Sequence, residues 1–306
     1  MKRFLRNIIS FILFVIVFYC VGICIFGELV PSFFRPNLKS SRNSSSYTFT
    51  RLNEVKNVSD IDILFVGSSH AYRGFDTRIF GSNGMIAFNL GTSAQTPLQT
   101  KFLLERYLDE VAPKNVIFQV SPFIFSIDGV ESTVDILSND FVDKNSLALT
   151  LKMKDINVLN AVIYSTYEDI FHKKSNYKER LKIKSHSYIS GGYVENNTLN
   201  FNSNQSIITD FSFKEGQLSA FDDMIKMVKN KGINYYLIYT PITKPLYTSI
   251  SKSTDFEVLM NKYGNYYNYN EILSLDSTFF YDRHHLNKKG VKVFNEKVIL
   301  DLKLSK

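Results

Sequence analysis

Three short apolar runs along the first half of the chain constrain its fold most. Residues 61–66, 85–90 and 115–120 are rich in β-branched and other apolar side chains, and their pattern is continuous rather than alternating. Such patterns are typical of strands that are buried on both faces of a sheet. An amphipathic helix is predicted between the last two runs, over residues 97–111, and parallel strands need crossover connections of this kind. The sequence therefore predicts an α/β domain with a mostly parallel sheet and helices on its faces.

The same alternation resumes in the last third of the chain. A helix is predicted at 216–231, a strand at 233–239 and a final helix at 287–302. The residues at about 125–213 are less regular in pattern. We therefore predict one α/β domain over residues 61–306, with an insertion at about 125–213 of the kind that often carries specificity.

The first 30 residues contain a long apolar segment preceded by basic residues. This segment, Ile8–Phe26, is almost purely apolar and roughly 28 Å long at 1.5 Å per residue, enough for a bilayer core. Its length exceeds the roughly 7–15 apolar residues of a cleavable signal peptide. We predict a cytoplasmic tip and an uncleaved transmembrane signal anchor at 1–30, with the body of the protein outside the cytoplasm. The polar, serine-rich residues 31–60 are predicted to be a linker.

Composition and charge exclude several classes of protein. The net charge of +7 comes with lysines that are spread along the chain, without a dense basic tract or a nucleic-acid-binding motif. The two cysteines, Cys20 and Cys24, both lie in the apolar N-terminal segment. A disulfide framework and a cysteine metal site are therefore excluded for the body of the protein. We expect no nucleic-acid partner and no cofactor.

Two separated stretches supply residues for nucleophilic catalysis. Ser69 comes directly after the first predicted strand, and open α/β sheets hold their active sites at the carboxyl ends of strands. Asp282 and His285 lie three positions apart, shortly before the last predicted helix. A serine hydroxyl needs a base to remove its proton, and the base works best when a third group orients it. His284 is an alternative base. A metal site formed by the two histidines and Asp282 is disfavoured, because the sequence offers no evident fourth ligand.

Three short motifs connect these residues to a known superfamily. They are Gly67-Ser68-Ser69-His70, Asn89-Leu90-Gly91 and Asp282-Arg283-His284-His285-Leu286-Asn287. In order and spacing they resemble the sequence blocks of the SGNH (GDSL-like) hydrolase superfamily. The resemblance is to its membrane-anchored branch in particular, which includes DltD and the alginate O-acetylation proteins. It implies a flavodoxin-like three-layer α/β/α sandwich that follows the N-terminal transmembrane helix.

The resemblance also implies roles for the motif residues. Ser69 is in the position of the nucleophile, His285 in that of the base and Asp282 in that of the residue that orients the base. The backbone amides of Ser69 and Gly91 are expected to form the oxyanion hole. The residues expected to line the substrate site are His70, Asn89, Ser121 and His284. The family's third block normally offers an asparagine to the oxyanion, but this chain has Val120-Ser121-Pro122 there, which leaves the third donor open.

Together, these features lead us to expect a membrane-anchored, extracytoplasmic serine esterase or O-acyltransferase. It is expected to act through an acyl-enzyme on the acyl groups, acetyl in the first instance, of a cell-envelope polysaccharide. Its partners are expected to be an acylated glycan or acyl donor and, through the N-terminal helix, the membrane. The alternative is a non-catalytic protein of the same fold that assists a membrane-bound O-acyltransferase. The presence of Ser69, Asp282 and His285 favours the enzyme, whereas the altered third block favours the alternative.

Overall fold

The chain folds into two compact units. The computed structural model describes residues 1–35, 38, 42, 44–198, 211–250 and 253–304. One unit combines residues 1–42 with 134–178, and the other combines 43–133 with 179–306. The residues predicted as a single insertion, 125–213, are therefore divided between the two units, and 199–210 lie outside the described residues.

Helices and strands alternate through most of the chain. The helices are α1 (Lys2–Leu29), α2 (Thr48–Glu54), α3 (Ser69–Gly74), α4 (Thr77–Ser82), α5 (Pro97–Val111), α6 (Pro122–Ser126), α7 (Val130–Asn139), α8 (Lys144–Met153), α9 (Ile156–Ile170), α10 (Glu215–Asn230), α11 (Lys244–Ser249), α12 (Ser253–Tyr263), α13 (Tyr269–Ile272) and α14 (Lys288–Asp301). The strands are β1 (Ile63–Val66), β2 (Ala87–Asn89), β3 (Asn115–Gln119), β4 (Lys182–Ile183), β5 (His186–Ile189), β6 (Tyr193–Asn196), β7 (Asn234–Tyr239) and β8 (Tyr266–Asn268). Short 3₁₀ turns lie at Ser32–Phe34, Val55–Asn57 and Ser277–Phe279.

The larger unit is built on a parallel five-stranded sheet. Its strands are ordered β2-β1-β3-β7-β8, and every pairing is parallel. Counted along the chain within this sheet, the order is 2-1-3-4-5, which is the flavodoxin-like order. The three apolar runs predicted as strands correspond to β1, β2 and β3. The predicted α/β class and the mostly parallel sheet are therefore confirmed.

Helices cover both faces of this sheet, because neighbouring residues of a strand point to opposite sides. On one face, Phe65 of β1 stacks on Phe75, the residue that follows α3, with ring centroids 4.5 Å apart, and Phe294 of α14 belongs to the same buried cluster. On the other face, Phe118 of β3 packs against Phe221 of α10, with centroids 6.3 Å apart. The sheet with its two helical layers forms the expected three-layer sandwich.

Part of the predicted linker, 31–60, is folded into the larger unit. Residues 48–54 form α2, and the side chains of Arg51 and Leu52 are fully buried. Arg51 donates hydrogen bonds to the backbone carbonyls of Ser46 (2.9 Å) and Gly192 (3.0 Å). The linker prediction is therefore wrong for residues 48–57, which form a helix and a 3₁₀ turn. Their polar sequence pattern gives no indication that Arg51 is buried. Residues 36, 37, 39–41 and 43 of the predicted linker lie outside the described residues.

A small antiparallel sheet of β4, β5 and β6 covers the free edge of β2. The backbone N–H of Asn89 donates to the carbonyl of Gly191 at 2.7 Å. Gly192 has φ +90°, and a Cβ there would collide with the carbonyl of Asn89. The glycine pair thus allows two backbones to approach closely at an edge that would otherwise be unpaired. No periodic pattern in the sequence predicts this sheet, because its strands are only two to four residues long.

The smaller unit joins the N-terminal helix to helices of the insertion. The most apolar 18-residue segment of helix α1 has a mean hydropathy of 3.0, and this segment is not buried in the protein. It is long and apolar enough to cross a membrane. Its C-terminal half packs on α9, where Tyr19 Oη donates to Asn160 Oδ1 (2.5 Å) and Tyr164 Oη donates to the carbonyl of Gly27 (3.2 Å).

Candidate active site

The turn after β1 holds Ser69 in a fixed position. Gly67 has φ +139°, and a Cβ there would lie 2.7 Å from Cβ of Gln119, so the turn requires glycine. Ser68 is the N-cap of α3, and its hydroxyl accepts from the N–H of His70. The Ser68 N–H and hydroxyl both donate to Oε1 of Gln119, at 2.9 and 2.7 Å. Ser69 is thereby the first residue of α3, at the carboxyl end of the sheet.

A tight loop before α14 presents the second half of the site. Phe280 and Leu286 form a β-bridge, and the Tyr281 N–H donates to the carbonyl of His285 at 3.1 Å. Asn287 then caps α14, because its Oδ1 accepts from the first backbone amides of that helix. The loop is therefore fixed at both ends, and Asp282 and His285 lie between these fixed points.

Ser69, His285 and Asp282 form a continuous chain of hydrogen bonds. Ser69 Oγ lies 2.9 Å from His285 Nε2. On the other side of the ring, His285 Nδ1 lies 2.9 Å from Asp282 Oδ2. Asp282 Oδ1 accepts from the backbone N–H groups of His284 and His285, both at 2.8 Å. With the proton on Nδ1, Nε2 can accept the hydroxyl proton of Ser69, which is the arrangement of a serine nucleophile with its base.

The local electrostatics suit a neutral base and a charged carboxylate. Burial lowers the pKa of His285, and the nearby Asp282 opposes this shift only in part. Burial would by itself raise the pKa of Asp282, but the hydrogen bond and charge of His285 and the two backbone N–H groups keep it well below its usual range. At neutral pH the carboxylate is therefore charged, and the imidazole is free to accept a proton.

This pKa shift predicts the acidic limit of activity. His285 acts as a base only when it is neutral, and burial disfavours its charged form, so neutral His285 should persist below its ordinary pKa of 6.5. We expect kcat/KM for any reaction in which His285 takes the proton of Ser69 to fall on acidification with a midpoint below pH 6.5. A pH–rate profile measures this midpoint. A midpoint at or above 6.5 would contradict the prediction.

Tyr281 packs against the His285 ring and is itself held by a hydrogen bond from Arg73. The Tyr281 ring stacks on His285 with an interplanar angle of 7° and centroids 5.6 Å apart. Arg73 Nη1 donates to Tyr281 Oη at 2.6 Å and to His186 Nε2 at 3.0 Å. Burial, and next the charge of Arg73, lower the pKa of His186 to about 4, so its neutral ring can accept this bond. These three residues carry no motif signal in the sequence, since the topology alone brings them together.

The backbone N–H of Gly91, the expected oxyanion donor, already donates to another group of the protein. This N–H donates to Oδ1 of Asn89 at 3.1 Å, and Gly91 does not line the cavity beside Ser69. A Cβ at Gly91 would lie 2.9 Å from Cβ of Ala71 and 3.0 Å from the carbonyl of Gly67. The prediction that the Gly91 amide forms the oxyanion hole is therefore wrong for this structure. The glycine is instead required because α3 packs closely against this loop.

Gly91→Ala tests that packing role. Overpacking of this kind costs about 1–3 kcal/mol of the free energy of unfolding. We expect a lowered melting temperature, together with reduced activity because the turn that carries Ser69 must move. Gly216→Ala, in α10, is the matched control, since a Cβ there meets no atom within 4 Å. Equal melting temperatures for Gly91→Ala and wild type would contradict this account.

A cavity of about 560 Å³ opens onto Ser69 and His285. The remaining lining residues are Ser68, His70, Tyr72, Arg73, Ser93, Ala94, Ser121, Pro122, Phe123, Glu131, Phe211, Tyr239, Ile242, Leu246, Ile250, Arg283 and His284. Its volume is within the usual range for small-molecule sites, and most of its wall is apolar or aromatic. His70, Ser121 and His284 thus lie where the sequence predicted.

Asn89 and His284 differ from expectation in their details. Asn89 is fully buried, does not line the cavity, and donates to the carbonyls of Ala71 (2.8 Å) and Phe75 (3.3 Å). The prediction that it lines the substrate site is therefore wrong, and its role is to hold α3 against β2. His284 lines the cavity, but the hydrogen bond from Ser69 goes to His285. Over the described ranges, no group of three metal-ligating side chains is arranged to hold a metal ion.

Comparisons with known proteins found similar structures, but no match among family models or curated proteins. No protein-family model matches the chain, and no curated protein matches it. The structure is similar to that of a protein assigned as an acylhydrolase from Bacteroides fragilis, with 12% identity, a TM-score of 0.38 and coverage of 86% of this chain and 98% of that one. It is also similar to a GDSL-like lipase from Bacteroides thetaiotaomicron, with 11% identity, a TM-score of 0.40 and coverage of 85% and 100%. Likenesses at this level carry no conclusion about activity or substrate.

Proposed function

We propose that the protein is a serine esterase or O-acyltransferase that works through an acyl-enzyme. The observation that carries the proposal is the hydrogen-bonded chain from Ser69 through His285 to Asp282, which opens onto a cavity. A turn residue with a merely structural role would not need a buried, neutral imidazole 2.9 Å from its hydroxyl.

The proposed reaction follows from the order of Ser69, His285 and Asp282 along their chain of hydrogen bonds. Ser69 Oγ attacks the acyl carbonyl while its proton passes to Nε2 of His285. The imidazolium is stabilised by the charged Asp282. When the tetrahedral intermediate collapses, Nε2 returns the proton to the leaving alcohol, and the acyl group remains on Ser69. Water or a sugar hydroxyl then attacks the acyl-enzyme with the same proton transfers, which releases a carboxylic acid or forms a new ester.

Three groups on the cavity wall are candidates to hold the oxyanion. The Ser69 N–H is at the first position of α3, where an amide has no acceptor within its helix. The Ser93 N–H and the Ser121 hydroxyl belong to residues that line the same cavity. Within the described part of the chain, the Ser93 N–H has no acceptor and the Ser121 hydroxyl has no hydrogen-bond partner. In our proposal these groups replace Gly91 and the missing third-block asparagine.

Ser121→Ala tests the third donor. Removal of one oxyanion-hole donor typically lowers kcat by roughly 10²–10³, and we expect a loss on this scale. Ser126→Ala is the matched control, because Ser126 is the last residue of α6, the short helix that follows Ser121, and its hydroxyl donates to the carbonyl of Phe123. A kcat for Ser121→Ala equal to that of Ser126→Ala would exclude Ser121 as a donor.

We further propose that the enzyme is anchored by α1 and acts outside the cytoplasm on acyl, in the first instance acetyl, groups of an envelope polysaccharide. The long apolar helix and its preceding basic residues support the anchor and its orientation. The polysaccharide rests on the motif resemblance. The cavity is larger than an acetyl group requires, so its aromatic wall is available to a sugar ring of the substrate.

Labelling with a fluorophosphonate probe tests the enzymatic proposal directly. Such probes form a bond to an activated serine, so we expect wild-type protein to be labelled and His285→Ala to remain unlabelled. Heat-denatured wild-type protein is the control for non-specific reaction. Folded wild-type protein that takes up no label would contradict the proposal and favour the non-catalytic accessory protein instead.

A further inference from the structure

Two helices of the smaller unit expose an apolar face. Leu147 and Leu151 of α8 are 51% and 76% exposed, and Ile156 and Leu159 of α9 are 55% and 39% exposed. The pairs are four and three residues apart, so each pair lies on one side of its helix. We call these four side chains the α8–α9 apolar face.

This face is unusual because α9 is also apolar on its opposite side. Val158, Ala161 and Val162 of α9 are buried in the protein. A helix that meets water on one side normally has polar residues there, and a helix that is apolar all round normally has apolar surroundings. Single exposed apolar side chains need no explanation, but here two helices in contact with each other both expose an apolar pair, which is typical of an interaction surface. The α8–α9 apolar face therefore requires an apolar partner.

The packing of α1 on α9 indicates which partner. The start of α9 lies beside the middle of α1, since Tyr19 Oη donates to Asn160. Towards the other end of α9, Tyr167 Oη donates to Glu28 at 2.7 Å. Tyr19 lies about two turns before Phe26, roughly 10 Å along the helix axis. If Ile8–Phe26 crosses the bilayer, the beginning of α9 is therefore level with the apolar part of the anchor rather than with its polar end.

The charges around the face fit a lipid surface. Lys144, Lys152 and Lys154 are exposed at the ends of α8. Lysine side chains can bury their apolar stems while the ammonium group stays at the head groups. Apolar faces with flanking lysines are characteristic of helices that lie in the membrane interface, about 5–10 Å into the head-group and acyl boundary. Anionic lipids attract such lysines further.

We infer that the α8–α9 apolar face lies in the interfacial layer of the bilayer leaflet from which α1 emerges, with lipid as its partner. The inference rests on the proposed anchoring by α1. It adds a second membrane contact, so the smaller unit is attached both by a spanning helix and by a helical pair on the surface.

Single tryptophans provide the test, because the natural chain contains none. The full chain is reconstituted into nanodiscs that contain anionic lipid, with and without lipid brominated in its acyl chains. Leu151→Trp and Leu159→Trp report on the face. Val15→Trp reports on insertion of α1. Leu300→Trp, on α14 and 70% exposed in the native chain, is the matched water-exposed control.

We expect blue-shifted emission and strong quenching by brominated lipid for Trp at 151, 159 and 15, and neither effect for Trp at 300. Quenching at 15 but not at 151 or 159 would overturn the membrane contact and leave the anchor intact. No quenching of Trp at 15 would overturn both the proposed anchoring by α1 and the membrane contact of the α8–α9 apolar face. Blue-shifted emission at 151 that brominated lipid does not quench would mean that protein covers the face, which also overturns the inference.

Discussion

Replacing Ser69 with alanine is expected to lower kcat for ester hydrolysis by on the order of 10⁶. The hydroxyl is the group that attacks in the proposed mechanism, and among the residues that the structure describes it forms a hydrogen bond only with His285. Only the residual catalysis by binding and the oxyanion donors would remain. The measurement is kcat for an aryl acetate, with active-site titration by fluorophosphonate to count competent molecules.

The melting temperature of Ser69→Ala serves as the internal control. Ser69 takes little part in holding the turn, which depends on the bonds between Ser68 and Gln119. We therefore expect an unchanged melting temperature alongside the lost activity. His285→Ala should lose activity on the same scale, because the two residues act as one unit. Ser69→Ala that retains wild-type turnover would refute the acyl-enzyme mechanism.

Asp282→Asn is expected to lower kcat by about 10⁴ while leaving the fold intact. The side-chain oxygen of Asn must stay at the position of Oδ1, where the backbone N–H groups of His284 and His285 donate. Its NH₂ group then lies 2.9 Å from His285 Nδ1 and forces that nitrogen to accept. The ring proton moves to Nε2, which can no longer take the proton of Ser69.

Asp276→Asn is the matched control for this prediction. Asp276 also accepts a backbone N–H, from Thr278, but it lies on an exposed turn away from the histidine ring. We expect wild-type kcat for this variant. Nitrogen NMR of the His285 ring distinguishes the tautomers directly. A protonated Nδ1 in Asp282→Asn would contradict the explanation, whatever the rate.

The sequence predicted those parts of the fold that depend on local patterns. The apolar runs that became β1, β2 and β3 are continuous, because both faces of the sheet are covered. The motif resemblance indicated His285 rather than His284 as the base, and in the structure both the ring and the backbone N–H of His285 contact the Asp282 carboxylate.

Features that depend on contacts between distant residues were not predictable. The motif resemblance implied an oxyanion donor at the Gly91 amide, but the Asn89 side chain two residues earlier accepts from that amide. Arg73, His186 and Tyr281 are far apart in sequence and meet only in the folded unit. Likewise, the polar pattern around Arg51 resembles a linker. The local sequence does not show that the guanidinium of Arg51 is buried and donates to the backbone carbonyls of Ser46 and Gly192.

The proposed nucleophile, Ser69, and its proposed base, His285, are separated by 216 positions along the chain. At roughly 5–20 residues per second, ribosomes need about 10–40 s to synthesise the stretch between them. During that interval Ser69 lacks its proposed base, and the growing polypeptide would therefore have no activity through this serine. Only when α14 forms behind the loop can Asp282 and His285 reach the finished turn. Under the proposed mechanism, activity therefore begins only after synthesis has passed α14, and shortened translation products that lack this helix would be inactive.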